Sequence, residues 1–264
     1  MLMDHKEVGH YWDANASAWT RLARSGFDIY RDYLNTPAFF DKLPEVKSLQ
    51  GLDIGCGEGH NTRLLAKRGA RMKAVDISEI FIEYAKQLEH QEKLGIDYQV
   101  ASAVELPFTD CSFDFATAFM SLMDIPEIDC VLNEIHRLLR PAGFLQFSIT
   151  HPCFNTPHRQ NLRDLDGQTY AIEVGDYFKN PKGKIKEWIF GTAPPEMKAG
   201  LPKFKIPQFT LTISQWINLL IKTGFSLEYA NEPRPDDKTV RACPEIQDAQ
   251  VVAYFLHMRV RKPD

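Results

Sequence analysis

The sequence lacks the features that would set it apart from ordinary globular proteins. Its 264 residues contain no run of about 18 apolar residues, so no membrane-spanning helix is expected. Neither sign of charge dominates, because 31 Lys+Arg stand against 35 Asp+Glu. The resulting net charge of -4 argues against a protein that wraps nucleic acid. Low-complexity segments are also missing, and the composition is that of a chain that folds around a hydrophobic core.

Cysteine is scarce and shows no pattern. The five cysteines are scattered, odd in number and without a CxxC pair, so we predict reduced thiols and a cytoplasmic location. The first residues, MLMDHKEVGHYWD, contain no apolar stretch of the kind found in a signal peptide. His151, Cys153 and His158 are the one grouping that suggests a metal site. Their spacing matches no common metal motif, and we predict no metal.

Short apolar runs alternate with amphipathic segments between residues 49 and 150. Strands are predicted over 49–54, 71–77, 97–101, 112–119 and 144–149, and helices over 10–24, 61–68, 78–93 and 126–140. Pro141-Ala142-Gly143 is expected to end the last of these helices. A further helix over 212–223 and strands over 225–231 and 251–260 follow. The alternation predicts an α/β fold, a Rossmann-like seven-stranded, mostly parallel sheet with helices on both faces.

Residues 151–210 differ in composition from the rest of the chain. They hold seven of the 16 prolines and eight aromatic residues, with β-like pieces over 170–178 and 184–190 joined by a turn. We predict a small antiparallel lid inserted into the α/β domain. The chain is therefore divided into a lid helix and cofactor-binding core over 1–150, a lid or substrate insertion over 151–210, and a helix and two strands over 211–264 that complete the core.

Three glycines follow the first predicted strand. Gly55, Gly57 and Gly59 would let the backbone approach a ligand at the switch point of a parallel sheet, although a tight turn without a ligand has the same pattern. His60 occupies the third glycine position of the dinucleotide fingerprint. Two acids flank the loop: Asp53 suits an amine, and Asp76, at the end of the next strand, suits ribose hydroxyls. A nucleoside joined to a cationic amino acid would satisfy both.

Four blocks of sequence resemble class I S-adenosylmethionine-dependent methyltransferases, in the small-molecule branch of quinone-biosynthesis-like (type 11) enzymes. These blocks are 52–59 (LDIGCGEG), 74–78 (AVDIS), 105–108 (ELPF) with 112–114 (SFD), and 138–144 (LLRPAGF). The resemblance covers residues 49–150 well and the rest of the chain more loosely. It implies S-adenosylmethionine as cofactor and methyl transfer to a small organic acceptor as the reaction.

The resemblance also assigns roles to residues of the cofactor site. The glycines would flank the methionine part, Asp53 would lie near its amine and Asp76 would hold the ribose. The remaining contacts that it implies are Tyr11 on the lid helix, Ile77, Ala103 and Val104 at the adenine, Phe119 at the methionine part, and Ser102 where many relatives carry an acid.

Residues for the chemical step come from the region after the fifth strand. His151 is a candidate general base, the alternative being a histidine that only hydrogen-bonds the lid. Tyr177 and Trp188 could line an aromatic substrate pocket or form the lid's own core. The sequence after the fourth strand is TAFM, which is not the Asn/Asp-Pro-Pro-Tyr motif of nucleic-acid amino methyltransferases. A small-molecule acceptor is therefore expected, with no nucleic-acid or membrane partner.

Two other functions remain open from the sequence. A nicotinamide-dependent oxidoreductase could be built on the same sheet, although His60 weakens that interpretation. A non-catalytic protein could also have kept an adenosyl-ligand pocket without turnover. The sequence makes no prediction of oligomeric state.

Overall fold

The computed structural model describes residues 3–264 and has a large sheet with two small ones beside it. The strands are β1 Gln50–Ile54, β2 Arg71–Asp76, β3 Asp97–Val100, β4 Phe113–Phe119, β5 Leu139–Thr150, β6 His158–Arg163, β7 Thr169–Gly175, β8 Lys184–Trp188, β9 Phe204–Gln208, β10 Ser226–Asn231 and β11 Phe255–Arg261. The α-helices are α1 His5–Arg24, α2 Thr36–Asp41, α3 His60–Lys67, α4 Glu79–Glu92, α5 Ile128–Leu138, α6 Pro195–Lys198, α7 Ile213–Thr223 and α8 Asp237–Ala242. A π-helix precedes α2, and 3-10 turns lie at Leu122–Asp124 and Pro244–Gln250.

The large sheet has seven strands in the order β10-β11-β5-β4-β1-β2-β3. The strands β1 to β5 pair in parallel, while β11 pairs antiparallel with both β5 and β10. The order reverses direction between β1 and β4, so a crevice opens there at the carboxyl ends of the parallel strands. The predicted α/β sheet is confirmed.

Helices cover both faces of this sheet. On one face, α5 and α7 bury apolar stripes that include Val131, Ile135 and Trp216 against the strands. On the other face, α3 and α4 contribute Leu65 and Ile82 to a second hydrophobic cluster. None of the helices within residues 3–264 combines the length and apolar character needed to cross a bilayer.

Helix ends follow the local signals in the sequence. Ser78, a residue type favoured at helix N-caps, accepts a hydrogen bond from the N–H of Phe81 at the start of α4. Gly224 adopts a left-handed conformation with φ 98° and ends α7. These local signals are strong enough that the helices of the core lie within a few residues of their predicted positions.

Three predicted boundaries are wrong, the first being the start of α1, which lies at His5 and not at residue 10. The helix α5 ends at Leu138 before the Pro-Ala-Gly segment, and residues 141–143 lie in the first part of β5, where the pairing with β4 is irregular. Ala142 has φ 58° in this irregular stretch. The last strand begins at Phe255 and not at residue 251, because the N–H groups of Val251 and Val252 bond to the carbonyl of Asp248 and continue the Pro244–Gln250 turn.

The inserted segment forms two small antiparallel sheets. The predicted pieces at 170–178 and 184–190 do not pair with each other: β7 pairs with β6, and β8 pairs with β9. The sheet β8–β9 packs on α1 through an aromatic cluster that includes Trp19, Phe190 and Phe204. The sheet β6–β7 is instead attached to the Pro244–Gln250 turn, where the Gln247 side chain makes two hydrogen bonds to the backbone of Thr169.

Candidate active site

A cavity of about 1200 Å³ lies between the carboxyl edge of the large sheet, α1 and the lid. Among the predicted site residues, those that line it are Asp53, Gly55, Gly57, Asp76, Ile77, Ser102, Ala103, Phe119 and Trp188. Five other predicted residues lie outside the lining: Tyr11, Gly59, Val104, His151 and Tyr177. The structure therefore brings the cofactor-type residues together, while it separates them from two of the three proposed for chemistry or acceptor binding.

The three loop glycines differ in what surrounds them. All have positive φ, at 66° for Gly55, 55° for Gly57 and 82° for Gly59. A Cβ on Gly55 would overlap the side chain of Ser121, and one on Gly59 would overlap the hydroxyl of Tyr98. Nothing lies within 4 Å of a Cβ on Gly57. Gly57 is therefore the glycine that leaves open space for a ligand.

Asp53 is a buried acid whose oxygens are both occupied. Its Oδ2 accepts a hydrogen bond from the Thr62 hydroxyl at 2.5 Å, and its Oδ1 accepts one from the Thr117 hydroxyl at 2.9 Å. Burial raises the pKa of Asp53 to about 6, although these two hydroxyls oppose the shift. The carboxylate thus places negative charge beneath the loop and joins β1, α3 and β4.

Asp76 ends β2 at the edge of the crevice and holds the loop from the other side. It accepts hydrogen bonds from the N–H of Gly57 at 2.8 Å and of Ser78 at 2.9 Å. Burial raises the pKa of Asp76 to about 6, even though both N–H donors favour the charged form. Each carboxylate oxygen can accept a further hydrogen bond, so Asp76 is suited to neutral hydroxyl groups such as those of a ribose.

The adenine-side residues fall into two groups. Ile77 and Ala103 line the cavity at the ends of β2 and β3. The Ser102 hydroxyl accepts a long hydrogen bond of 3.3 Å from the N–H of Val104, whose side chain packs against the core below the cavity. Phe119 lines the cavity at the end of β4 and packs against Phe39, with ring centroids 4.0 Å apart.

The helix α1 covers the crevice with a different face from the predicted one. His5, Val8, Trp12 and Trp19 line the cavity, whereas Tyr11 does not. The four lining residues are three, four and seven residues apart, which places them on one face of the helix. This spacing could have been recognised in the sequence. The helix is fixed to the core because Asp13 accepts a 2.6 Å hydrogen bond from the Ser78 hydroxyl.

A buried ion group also fixes α1 to the glycine loop. Glu58 accepts hydrogen bonds at Oε2 from Arg24 of α1 at 2.8 Å and from Arg63 of α3 at 3.2 Å. Glu58 is only 4% exposed, so its charge is balanced mainly by these two guanidinium groups.

His151 is buried beside the cavity with both ring nitrogens in hydrogen bonds. Its Nδ1 accepts from the N–H of Cys153 at 3.2 Å, which leaves Nε2 to donate to Glu232 at 2.7 Å. Burial lowers the pKa of His151, and Glu232 opposes the shift. In this arrangement the imidazole ties the start of the insertion to the end of β10.

The two aromatic candidates of the lid have different surroundings. Tyr177 does not line the cavity, and its hydroxyl accepts a 2.9 Å hydrogen bond from the N–H of Ile213 at the start of α7. Trp188 lines the cavity and also packs edge-on against Trp19, with centroids 5.4 Å apart. Trp188 therefore belongs to the lid's core and to the cavity wall at once.

Two parts of the cavity wall were missed by the sequence analysis. Residues 27–31 line it, including Tyr30, which stacks on Tyr254 with centroids 4.3 Å apart. Asp124, in the turn after β4, also lines it. Aromatic residues directly after the predicted lid helix could have indicated that residues 27–31 line the cavity. Nothing in the sequence around Asp124 indicated the same for that residue.

The residues present fit an adenosyl amino acid. The open side of Gly57, the acid Asp53 below the loop and the acid Asp76 at the crevice edge match the methionine part, its amine and the ribose respectively. Among residues 3–264, no group of three or more His, Cys, Asp or Glu side chains is arranged to hold a metal ion.

Comparison with known proteins agrees with this fit. A family described as "Methyltransferase domain" matches residues 52–147. The ubiquinone biosynthesis O-methyltransferase of Coxiella burnetii is 31% identical over 186 residues, which are 69% of this chain and 73% of the relative. Methyltransferase GfsG of Streptomyces halstedii is 32% identical over 161 residues, but these are only 53% of this chain and 56% of the relative.

A solved structure extends the similarity to most of the fold. An S-adenosylmethionine dependent methyltransferase from Mesorhizobium loti superposes with a TM-score of 0.68 at 26% identity, over 85% of this chain and 96% of that one. The chain belongs to the S-adenosylmethionine-dependent methyltransferases, and S-adenosylmethionine is its cofactor.

Proposed function

We propose that the cavity holds S-adenosylmethionine at its floor and a small organic methyl acceptor beneath the lid. The observation that carries the proposal is the continuity of the cavity, which reaches from Gly57 and Asp76 to Trp188 of β8. Its volume of about 1200 Å³ exceeds the roughly 300–1,000 Å³ of common ligand sites, which leaves room for two molecules.

In this proposal the cofactor residues keep the roles that the sequence suggests. Gly55 and Gly57 lie against the methionine part, Asp76 accepts from the ribose hydroxyls, and Ile77 and Ala103 hold the adenine. Tyr11, Gly59 and Val104 do not line the cavity and are given no direct contact in this proposal. The bound cofactor supplies an activated methyl group on a sulfonium, so the protein has to align the acceptor, exclude water and remove a proton where the acceptor carries one.

We further infer an aromatic acceptor that carries a hydroxyl group. Rings from several elements face the lid side of the cavity, among them Trp19, Tyr30, Trp188, Phe190 and Tyr254. Aromatic walls favour a flat ring that can stack or pack edge-on. The Coxiella burnetii relative is named as an O-methyltransferase of ubiquinone biosynthesis, which supports a phenol or quinol type of acceptor.

The nicotinamide and non-catalytic alternatives are not supported by the family to which the chain belongs. Isothermal titration with S-adenosylmethionine, S-adenosylhomocysteine and NADH provides the direct test. We expect binding of the first two and none of NADH. Preference for NADH would contradict the proposal.

Turnover is tested with radiolabelled S-adenosylmethionine and a panel of catechols, hydroquinones and phenols, with anilines and aliphatic alcohols for comparison. We expect label to enter at least one hydroxylated aromatic compound. Transfer to anilines or alcohols alone would overturn the acceptor class but leave the methyltransferase assignment intact.

Two finer expectations belong to the same proposal. We propose that nucleic acid is not the acceptor, since the covered aromatic cavity suits a small molecule, and a labelling assay with total RNA and DNA tests this. The cytoplasmic location also remains a proposal, consistent with five cysteines that are all unpaired. Cell fractionation would test it.

A further inference from the structure

The turn after β4 is built directly onto the glycine loop. In the Leu122–Asp124 turn, Leu122 is fully buried in the core. Just before it, the Ser121 hydroxyl donates to the carbonyl of Ile54 at 2.7 Å, and its side chain occupies the space that a Cβ on Gly55 would need. The N–H of Asp124 then donates to the carbonyl of Ser121 at 3.0 Å. Asp124 is thus held one short turn away from the loop.

The carboxyl group of Asp124 differs from the other acids of the crevice. Asp53 and Asp76 each accept two hydrogen bonds from protein groups, whereas among residues 3–264 the side chain of Asp124 has no hydrogen bond or ion pair. Its neighbours Met123 and Ile125 also line the cavity and are apolar. Burial alone raises the pKa of Asp124 to about 8. Asp124 is half-buried and faces the cavity, and an acid held in such a place without a partner is typical of a functional site.

Many of the other charged groups that face the cavity are engaged elsewhere. In the lid, His158 pairs with Glu173 and Lys179 with Asp176, while Glu245 of the Pro244–Gln250 turn accepts from the thiol of Cys243. His5 of α1 contacts Glu127 at 3.3 Å, and Glu58 of the loop is held by two arginines. In the segment after α1, Arg31 forms an ion pair with Asp28, with 3.9 Å between Nε and Oδ2. Lys184 and Lys186 face the cavity from β8 of the lid. His60 opens α3, and burial lowers its pKa to about 4. None of these groups forms a hydrogen bond or an ion pair with Asp124.

We propose that Asp124 is the catalytic residue that takes the proton from the acceptor's hydroxyl during methyl transfer. The inference rests on the proposed function. Asp124 takes the role of general base for which His151 was the sequence-based candidate. Both ring nitrogens of His151 are already engaged in hydrogen bonds. In the step, an Asp124 oxygen accepts the hydroxyl proton and the acceptor oxygen forms a bond to the methyl carbon. The carbon–sulfur bond breaks, and the sulfur keeps its electron pair as a neutral thioether.

The position of Asp124 has a consequence that does not depend on turnover. S-adenosylmethionine carries a positive sulfonium, whereas S-adenosylhomocysteine carries a neutral sulfur at the same place. A positive charge near Asp124 stabilises its carboxylate and drives off its proton, while the neutral ligand does not. The two ligands share all other groups, so their contacts with Asp53 and Asp76 cancel in the comparison.

Proton release on binding measures this difference. Titration calorimetry at pH 7.5, in buffers of different ionisation enthalpy, counts the protons exchanged with each ligand. We expect the wild-type protein to release more protons on binding S-adenosylmethionine than on binding S-adenosylhomocysteine, with a difference of about half a proton or more. Asp124→Asn should abolish the excess, and Asp129→Asn, an exposed acid of α5 outside the cavity, should keep it.

Turnover provides the second measurement. We expect Asp124→Asn to lower kcat by about 10²–10⁴-fold, with the affinity for S-adenosylhomocysteine unchanged within about threefold. Asp124→Glu should retain part of the rate, and Asp129→Asn all of it. Because the base must be ionised, kcat/KM for S-adenosylmethionine, which reports the free enzyme, should rise with pH until about 8.

The outcomes separate this inference from the proposed function. An Asp124→Asn variant with the wild-type proton count, or with turnover within a few-fold of wild type, overturns the role of Asp124 while methyl transfer stands. Failure of the wild-type protein to bind S-adenosylmethionine overturns the proposed function itself.

Discussion

At the scale of single residues, Gly57 allows ligand binding to be changed separately from folding. A Cβ at Gly57 meets nothing within 4 Å but points into the cavity where the cofactor is proposed to lie. We expect Gly57→Ala to lower the free energy of unfolding by only about 1–2 kcal/mol, from its positive φ. Its affinity for S-adenosylhomocysteine, measured by titration calorimetry, should fall at least tenfold.

Gly26→Ala is the matched control for this substitution. Gly26 also has a positive φ, of 84°, and open space around a Cβ, but it does not line the cavity. It should show the same loss of stability with unchanged affinity. Equal affinities for the two variants would show that the ligand does not approach Gly57.

The pKa of Asp76 predicts how cofactor affinity depends on pH. In the folded protein burial raises this pKa from 3.8 to about 6, so the carboxylate gains a proton as the pH falls through 6. A protonated Asp76 accepts hydrogen bonds from ribose hydroxyls more weakly. We expect the Kd for S-adenosylhomocysteine to rise about tenfold between pH 7.5 and pH 5. An Asp76→Asn variant should bind weakly at both values, and an equally steep pH dependence in it would contradict this assignment.

The same shift affects stability in the opposite direction. Because its folded-state pKa is raised, Asp76 opposes folding when it is ionised at neutral pH. That penalty is relieved as the pH falls from about 6 through 3.8, and well below 3.8 the folded and unfolded states are protonated alike. The contribution of Asp53, with its pKa also about 6, has the same sign.

At the scale of elements, α1 connects the core to the lid. On the lid side, the buried Asn15 makes two hydrogen bonds to the backbone of Lys205 in β9, both at 2.9 Å. On the core side, Asp13 and Arg24 bind the start of α4 and the glycine loop. The amide of Asn15 thus takes the place of a neighbouring strand at the edge of β9.

Asn15→Ala would leave the partly buried N–H and carbonyl of Lys205 without partners. We expect this to lower the free energy of unfolding by about 1–3 kcal/mol, measured by urea denaturation. Asn133→Ala, on the exposed face of α5, is the control and should change stability by less than about 0.5 kcal/mol. If the two variants were equally stable, β9 would not depend on this contact.

The sequence predicts those elements whose determinants lie close together in the chain. The strands β1 to β4 and the helices between them follow from apolar periodicity and from caps such as Ser78. The pairing of the lid strands was not predictable in this way, because β8 and β9 find their apolar partners on α1, more than 160 residues earlier. The start of β5 was missed because the Pro-Ala-Gly segment joins the sheet through an irregular pairing.

The same distinction applies to the candidate site. The glycine loop and Asp76 were identified because one local motif contains both the turn and the strand ends. The orientation of His151 could not be predicted from the sequence, because Glu232, which accepts a hydrogen bond from its ring, lies 81 residues further along the chain. Asp124 was not predicted as a site residue, because only the folded structure shows that its side chain has no hydrogen-bond partner among the described residues.

At the scale of the whole molecule, we expect cofactor binding to stabilise only the β8–β9 sheet of the lid. The sheet β8–β9 is joined to α1, which lines the cofactor cavity, whereas β6–β7 is joined to the Pro244–Gln250 turn. We expect S-adenosylhomocysteine to slow amide hydrogen exchange in α1 and β9 as well as in the glycine loop. Exchange in β6 and β7 should change little.

Hydrogen-exchange mass spectrometry with and without the ligand checks this pattern. The edge strand β10 serves as an internal reference, since it lies at the far side of the sheet from β1. Protection that is confined to residues 55–60 and 76–78 would show that α1 does not transmit binding to the lid. The division into 1–150, 151–210 and 211–264 remains our proposal, in which the middle segment comprises two separately attached sheets.

The shared position of α1 matters to anyone who wishes to exchange acceptor preferences between relatives. A chimera that receives only residues 151–210 from a donor enzyme would present a foreign β9 to the recipient's Asn15 and Trp19. The graft would then disturb the helix that covers the cofactor, and weak cofactor retention would be mistaken for loss of acceptor recognition. The inner face of the first helix has to be transplanted together with the insertion.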